Sequence, residues 1–311
     1  MKALQIPALQ TIKVVELAKP EVKAGEVLLK LKYVGFCGSD LNTFLGRNAM
    51  AKANVIPGHE IGAVIEAIGE GCPDTLKVGQ VVTVNPYTNC GRCASCRNGR
   101  VNACKNNETL GVQRNGAMKE YITLPWEKVI PAGLLTTKTC ALVEPMSVGF
   151  HAVSRAEVTD IDVVLVIGCG MVGMGAVVRS ASRGATVVAA DIDDDKLALA
   201  RQMGASYVIN TRTDNVHKRL LEITSGFGPD VVIEAVGSTQ TYQMAVDEVA
   251  FTGRVICIGY AKAEVSFQTK YFVQKELISK VIKPEDAYDT LRWWSENPGK
   301  VFRILMKLSD D

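Results

Sequence analysis

VVLVIGCGMVG, the sequence of residues 163–173, decides the fold. Its first five residues, Val163 to Ile167, are all apolar and predict a buried β-strand. Gly168, Gly170 and Gly173 then have the spacing G-x-G-x-x-G and open a stretch with the length of a helix. A strand, these glycines and a helix in this order are typical of a turn that binds the pyrophosphate of a dinucleotide.

Each of these three glycines has its own physical role in such a turn. The first makes a tight turn, the second lets the backbone approach a pyrophosphate, and the third lets the helix pack closely on the strand. The alternative is a glycine-rich turn that binds nothing. It leaves unexplained why the strand, the glycines, the helix and the acidic Asp191 occur in register.

Asp191 stands at the end of the next predicted strand. A carboxylate there can accept hydrogen bonds from the adenosine ribose and would repel a 2′-phosphate. Residues 192–195 supply no arginine, so NAD is favoured over NADP, and Lys196 is expected to be a solvated helix residue rather than a cofactor ligand. The predicted cofactor-binding residues are Gly168, Gly170, Met171, Val172, Gly173, Asp191, Ala235, Val236 and Ile258.

Strands and helix-length segments alternate beyond this turn, which predicts parallel winding of a doubly wound α/β domain over residues 149–280. The later strands are predicted at 187–190, 207–209, 231–235 and 255–258, with a helix at 194–203.

Residues 1–148 have a different pattern, with short β-type runs at 27–31, 64–68 and 81–84 separated by Gly, Pro and Asn. They predict an antiparallel β domain. A helix from Glu144 to Arg155 is expected to join the domains. The C-terminal residues 281–311, with a strand at 301–308, are expected to return to the first domain.

Composition limits the classes of function. A chain of 311 residues with 47% hydrophobic content favours two domains. Its 35 basic and 33 acidic residues are spread along the chain, which argues against nucleic-acid and membrane partners and favours small molecules. The sequence shows no signal peptide and no apolar stretch that could span a bilayer, so a cytoplasmic location is expected.

Four cysteines form a cluster with the spacing C-x2-C-x2-C-x7-C, namely Cys90, Cys93, Cys96 and Cys104. Four thiolates can close a tetrahedral zinc site and leave no position for substrate, so this metal is predicted to be structural. An iron–sulfur cluster also uses four cysteines, but a ferredoxin-like surround is lacking, and unligated thiols would leave the spacing unexplained. The isolated cysteines are expected to be small buried residues, namely Cys72, Cys140, Cys169 and Cys257.

A second set of possible metal ligands is scattered along the chain, namely Cys37, His59, Glu60 and Glu144. Taken singly, each has an ordinary explanation. An isolated cysteine is usually core, a lone histidine in a loop is usually structural, and a glutamate before proline often caps a helix. The residues alone therefore leave a catalytic metal site open.

Taken together and in order, several segments resemble the medium-chain, zinc-dependent alcohol dehydrogenase family, in its polyol and sugar-acid branch. The matching segments are 35–40, 58–60, the four-cysteine cluster, Glu144-Pro145 and the glycine motif. The resemblance implies a GroES-like antiparallel β catalytic domain and a Rossmann domain. It also implies that Cys37 and His59 bind a catalytic zinc with either Glu60 or Glu144, which leaves one position for water or the substrate oxygen.

Further roles follow from the resemblance. Ser39 would relay the alcohol proton, and Asp40 would orient His59 as a hydrogen-bonding carboxylate. Zinc would lower the pKa of the alcohol, and NAD would accept the hydride. The family's usual histidine three residues after Ser39 is Asn42 here, so the relay is expected to end elsewhere, through the nicotinamide ribose and water.

The substrate implied by the resemblance is a polyol or sugar acid such as L-galactonate or L-idonate, and the expected assembly is a homodimer or homotetramer. An L-threonine or sugar-phosphate alcohol dehydrogenase is an alternative, as is a non-catalytic nucleotide-binding homologue. The chain departs from the family near Leu277, where a strand and helix of roughly thirty residues are expected but absent. Two interpretations stay open, a real deletion or an omitted mobile stretch.

Overall fold

The computed structural model describes residues 1–261, 263–275, 280–282 and 304–306. The chain divides into two compact units, Met1–Ser147 and Val148–Asp311. The division falls within the helix Val143–Arg155, which lies at the predicted join. The predicted deletion near Leu277 lies outside the described residues. The predicted return of 281–311 to the first domain also lies outside them, apart from 281–282 and 304–306.

The first unit contains seven β-strands and four helices among the described residues, the last helix extending past its end. The strands are β1 (Lys2–Ala8), β2 (Thr11–Glu16), β3 (Glu26–Gly35), β4 (Glu60–Ile68), β5 (Val81–Val84), β6 (Tyr121–Pro125) and β7 (Val129–Pro131). The helices are α1 (Gly38–Phe44), α2 (Ala94–Arg97), α3 (Thr137–Cys140) and α4 (Val143–Arg155), and single 3-10 turns occur at Val101–Ala103 and Trp126–Lys128.

A five-stranded antiparallel sheet in the order β6-β3-β4-β5-β7 forms the body of this unit, and β1 pairs with β2 in a separate hairpin. Alternate residues of the central strands, such as Val27, Leu29, Ile61 and Ile65, are buried in one apolar cluster. This period of two is what a half-buried strand requires. The predicted antiparallel β fold of the first domain is confirmed.

The second unit contains a five-stranded parallel sheet in the order β10-β9-β8-β11-β12. Its strands are β8 (Val163–Ile167), β9 (Thr186–Asp191), β10 (Tyr207–Asn210), β11 (Val231–Glu234) and β12 (Arg254–Cys257). Its helices are α5 (Met171–Ser182), α6 (Asp194–Gln202), α7 (Val216–Ile223), α8 (Thr239–Glu248) and α9 (Lys270–Gln274). Two short strands, β13 (Lys280–Ile282) and β14 (Ile304–Met306), pair in parallel.

Both faces of this parallel sheet are buried. Val164 and Val166 of β8 pack into one apolar cluster, whereas Leu165 and Ile167 pack into another. A strand covered on both sides must be apolar at every position, which explains the uninterrupted run at 163–167. The predicted doubly wound Rossmann fold is confirmed.

The isolated cysteines differ in burial. Cys140 and Cys169 are buried as expected, but Cys72 is only half-buried and Cys257 is exposed. Cys257 ends β12, which lies at the edge of the sheet in the described part of the chain. The expectation that all four are buried is therefore wrong for Cys257.

Among the described residues, no helix combines the length and the apolar character needed to cross a bilayer.

Lys119 is a partly buried cation of the first unit, and its ammonium group makes no hydrogen bond or ion pair with any described residue. Burial lowers the pKa of Lys119, so the charged form destabilises the folded state. We expect Lys119→Met to raise the free energy of unfolding by about 1 kcal/mol at neutral pH. Chemical denaturation measures this change, with the exposed Lys13→Met as the control.

The same prediction has a pH dependence. A lysine with a lowered folded-state pKa costs stability below that pKa, and the cost disappears as the pH rises toward the ordinary value of about 10.4. The gain from Lys119→Met should therefore shrink between neutral pH and pH of about 10. An equal gain at both pH values, or no gain at neutral pH, contradicts the explanation.

Candidate active site

The pairing of β3 with β4 brings distant parts of the sequence together. Gly35, the last residue of β3, lies opposite Glu60, the first residue of β4. Cys37 follows β3 by two residues and His59 precedes β4, so both lie at the same end of the strand pair. A Cβ atom at position 35 would lie 2.0 Å from Oε2 of Glu60, so only glycine leaves room for this carboxylate.

Three potential metal ligands meet at this end of the sheet. One ligand atom from each of Cys37, His59 and Glu60 lies within 4.8 Å of the other two. His59 and Glu60 are buried, with 5% and 7% exposure. Nδ1 of His59 is buried and has no hydrogen-bond partner among the described residues. A sulfur, a nitrogen and a carboxylate oxygen at this spacing form a donor set that suits zinc.

The buried ionisable side chains of this group shift one another's pKa values. Burial alone would lower the pKa of His59, but the hydrogen bond to Cys37 and the negative charges of Cys37 and Asp40 raise it to about 9. Burial raises the pKa of Glu60, and the neighbouring carboxylate of Glu144 adds to this rise. Negative charge thus accumulates around one point, as expected for side chains that bind a cation.

Asp40 has a different role from the one expected. Its Oδ2 accepts the backbone N–H of Cys37 at 2.9 Å, and its Oδ1 accepts the backbone N–H of Gly58 at 3.3 Å. Nδ1 of His59 makes no hydrogen bond to Asp40, so the expected contact is wrong at this atom. Asp40 lies at the third position of α1, where a carboxylate closes back on the residue before the helix. It therefore ties together the two backbone segments that carry Cys37 and His59.

Tyr87 is a site residue that the sequence analysis missed. Its hydroxyl donates a short hydrogen bond to Oε1 of Glu144, which is buried with 7% exposure. Burial first, and then the carboxylate of Glu144, raise the pKa of Tyr87 well above its ordinary value, so the phenol remains a donor. Asn85-Pro86-Tyr87 lies just before the cysteine cluster, and no spacing rule singles out its tyrosine.

Ser39 and Glu144 complete the predicted catalytic residues. Oγ of Ser39, in the first turn of α1, is buried and has no hydrogen-bond partner among the described residues. Glu144 lies in the first turn of α4 and is not a member of the three-residue metal group. The structure therefore brings Glu60, rather than Glu144, together with Cys37 and His59.

The four clustered cysteines also converge. One sulfur from each of Cys90, Cys93, Cys96 and Cys104 lies within 4.8 Å of the others. Sγ of Cys104 accepts the backbone N–H of Cys90 at 3.3 Å and lies 3.8 Å from Sγ of Cys93. The helix α2 within this lobe buries no side chain. A lobe with so little apolar core would depend on a bound metal for its stability.

The glycine turn has the geometry that its sequence predicts. Gly168 has a φ of +93°, which favours glycine, and a Cβ at Gly173 would lie 1.8 Å from the carbonyl oxygen of Gly168. A Cβ at Gly170, by contrast, would meet nothing within 4 Å. The turn therefore has open space in front of the helix N-terminus, where a phosphate binds best.

A cavity of about 400 Å³ adjoins this turn in the second unit. Its lining includes Gly168, Gly170, Asp191, Lys196, Ala235 and Val236. Met171, Val172, Gly173 and Ile258 do not line it, although they were predicted to bind the cofactor. Met171 and Val172 begin α5, Gly173 packs beneath the turn, and the backbone N–H of Ile258 bonds to Glu234.

Asp191 forms part of the wall of this cavity. Its carboxylate accepts backbone N–H groups from Cys169, Ile192 and Asp193 at 2.7 to 3.1 Å. Nζ of Lys196 lies 3.9 Å from Asp191, and the lysine side chain is 48% exposed. Lys196 is thus partly solvated, as expected, but it also faces the cavity and offsets the charge of Asp191.

A second cavity, of about 420 Å³, lies between α1 and the β1-β2 hairpin of the first unit. Leu4, Ile6, Ile12, Phe36, Leu41 and Phe44 supply most of its wall, which also includes Cys37 and Asp40. Because this wall is mainly apolar, it offers few partners for a ligand rich in hydroxyl groups.

The comparisons with known proteins agree with this geometry. Residues 23–133 match the model of the alcohol dehydrogenase GroES-like domain, and residues 172–282 match the model named zinc-binding dehydrogenase. Sorbitol dehydrogenase of Halalkalibacterium halodurans is 32% identical over 86% of this chain and 80% of its own length. L-galactonate-5-dehydrogenase of Escherichia coli K12 is 31% identical over 90% of this chain and 83% of its own length.

A solved structure extends the likeness to three dimensions. The structure of rspB from Escherichia coli CFT073, complexed with NADH, is 25% identical and superposes with a TM-score of 0.81 over 99% of each chain. Two family models match the chain in the order that the fold requires, and the relatives match most of its length. Both findings lead to one assignment. The chain belongs to the medium-chain, zinc-dependent alcohol dehydrogenase family, in the group that includes the polyol dehydrogenases.

Proposed function

We propose that this protein oxidises a secondary alcohol of a polyol or sugar acid with NAD, at a zinc ion held by Cys37, His59 and Glu60. The observation that carries the proposal is that one ligand atom from each of these three side chains lies within 4.8 Å of the other two, with His59 and Glu60 buried. Catalytic zinc sites use three protein ligands of these types and keep the fourth position for water or substrate.

The protein groups around this site would hold and move the proton. Zinc, when bound, supplies a Lewis acid that lowers the pKa of the substrate hydroxyl. Oγ of Ser39 is buried and has no partner among the described residues, so it would relay the proton by accepting a hydrogen bond from the substrate hydroxyl and passing its own proton to the nicotinamide ribose or water. Asp40 fixes the backbone of Cys37 and Gly58 by its two hydrogen bonds. It thereby keeps the ligand-bearing segments at a constant separation.

The cavity beside Gly170 supports NAD as the hydride acceptor. The open space at Gly170 fits a pyrophosphate, and the three N–H bonds to Asp191 leave about one acceptor position of its carboxylate for a ribose hydroxyl. Lys196 could attract a 2′-phosphate, but Asp191 already offsets its charge at 3.9 Å. A diol is therefore the better match for this wall than a phosphate monoester.

Gly170→Val should abolish NAD binding without unfolding the protein. A Cβ at position 170 would meet no other atom within 4 Å, so the substitution costs the fold little, but the branched side chain would occupy the pyrophosphate position. We expect the Kd for NADH, measured by fluorescence titration, to rise at least about 100-fold, or ~2.7 kcal/mol. The thermal midpoint without cofactor should change little.

The matched control is Gly25→Val, which lies in the first unit with open space around its Cβ but a φ of +74°. It should lower stability and leave NADH binding intact. If Gly170→Val binds NADH as tightly as the unsubstituted protein, this turn is not the pyrophosphate site.

The relatives differ in substrate, and sorbitol and L-galactonate define the class that we favour for this chain. The proposal is tested by NAD reduction with purified protein against aldonates, polyols, L-threonine and sugar phosphates, with a chelator-treated control. Chelator-sensitive turnover of a polyol or aldonate supports it. Turnover of L-threonine or a sugar phosphate alone would replace the substrate class, and no turnover with zinc and NADH bound would indicate a non-catalytic homologue.

A further inference from the structure

We propose that Tyr87 is a positioning residue that keeps Glu144 away from the metal-binding group Cys37, His59 and Glu60, so that the fourth coordination position stays free for substrate. This inference rests on the proposed function, because it concerns the same metal site. It assigns a role to a side chain that lies outside the predicted ligand set.

The contact itself is well anchored at both ends. The hydroxyl of Tyr87 donates to Oε1 of Glu144. The backbone N–H of Tyr87 is held by Oδ1 of Asn85 at 3.1 Å, and Tyr87 forms a β-bridge with Thr109. On the other side, Oγ of Ser147 donates to the carbonyl oxygen of Glu144 at 2.6 Å. The backbones of both partners are therefore held in place, and Glu144 is buried with 7% exposure.

Two carboxylates compete for one metal at this site. Glu60 belongs to the group whose ligand atoms lie within 4.8 Å of one another, and Glu144 does not. Yet Glu144 is close enough for its charge to affect both Glu60 and His59. If both carboxylates bound a zinc ion, four protein ligands would close the site, as in a structural zinc centre.

Tyr87 supplies a hydrogen-bond donor to the carboxylate of Glu144. A buried carboxylate needs hydrogen-bond donors, and the phenol supplies one. Phenylalanine at position 87 would fill the same space but leave Oε1 of Glu144 without this donor. A metal ion held by the three-residue group would then attract this carboxylate, whose charge already affects His59 and Glu60.

Tyr87→Phe therefore has an expected result that a merely structural role would not give. In protein loaded with cobalt(II) at this site, an added carboxylate should change the visible absorption, because that absorption depends on ligand number and geometry. Competition with a chelator should show the metal held at least about 10-fold more tightly, and kcat should fall. A tyrosine that only supported packing would loosen the metal when replaced.

The double variant Tyr87→Phe/Glu144→Gln tests whether the added carboxylate ligand is Glu144. It should recover the spectrum and metal affinity of the unsubstituted protein. Tyr33→Phe, on a half-exposed tyrosine of β3, is the matched control and should change neither. If Tyr87→Phe leaves the absorption and the metal affinity unchanged, or weakens metal binding, the proposed role of Tyr87 is wrong. The proposed metal site would not be affected by this result. If the unsubstituted protein binds no metal whose binding depends on Cys37, both the proposed function and the proposed role of Tyr87 are wrong.

Discussion

Replacement of Cys37 by serine is expected to abolish alcohol oxidation while leaving the fold and NADH binding intact. The substitution removes one of three converging ligand atoms, and the metal's contribution to the transition state is worth several kcal/mol. We therefore expect kcat/KM to fall by about 10³-fold or more. Steady-state NAD reduction measures the loss, and elemental analysis should show one zinc ion fewer per chain.

The matched control for this substitution is Cys72→Ser, in the same unit. Sγ of Cys72 is half-buried and donates to the carbonyl oxygen of Glu26 at 3.5 Å, a bond that a serine can also make. This control should keep full activity and full zinc content. Retention of activity in Cys37→Ser would remove Cys37 from the proposed metal site.

Replacement of Cys104 by serine should act on stability rather than directly on chemistry. Cys104 is buried, accepts an N–H bond from Cys90 and lies close to Cys93, so it is central to the four-cysteine lobe. Loss of its thiolate should release the structural zinc and lower the free energy of unfolding by about 4 kcal/mol. Calorimetry and limited proteolysis within residues 90–107 measure the effect.

A chelator provides the internal control for this second experiment. It should lower the thermal midpoint of the unsubstituted protein more than that of Cys104→Ser, because the variant has already lost the lobe's zinc and only the metal proposed at Cys37 is left to remove. Full additivity of the two effects would mean that the metal does not depend on Cys104. Unchanged zinc content in the variant would lead to the same conclusion.

Much of the fold could be predicted because its signals are local. The apolar run at 163–167 and the glycines after it specify a buried parallel strand and its turn without reference to any other part of the chain. The strand at Val81–Val84 is likewise found where it was predicted. Apolar runs and glycine turns of this kind depend on neighbouring residues only, so they can be recognised in the sequence alone.

The metal group could not be assembled in this way. Cys37 and His59 meet because Gly35 pairs with Glu60, and this register depends on packing of the whole sheet. The resemblance to a family supplied the ligands, but not the choice between Glu60 and Glu144. In our proposal that choice depends on Tyr87, which donates a hydrogen bond to Glu144 although the two residues are distant in sequence.

Asp40 shows how a local signal can be misread. A carboxylate at the third position of a helix is placed to accept the N–H of the residue before the helix, and Asp40 does this with Cys37. Its nearness in sequence to a predicted ligand suggested a contact with His59 instead. The capping pattern would have given the correct partner.

The β3–β4 register also has a consequence for the order in which a new chain acquires its metals. Cys37 and His59 cannot meet until these two strands have paired at the end defined by Gly35 and Glu60. The four cysteines between 90 and 104 need only a short loop to close, which costs less entropy than sheet assembly. Zinc would therefore enter the cysteine lobe during early chain compaction and reach the second site only after the sheet is complete.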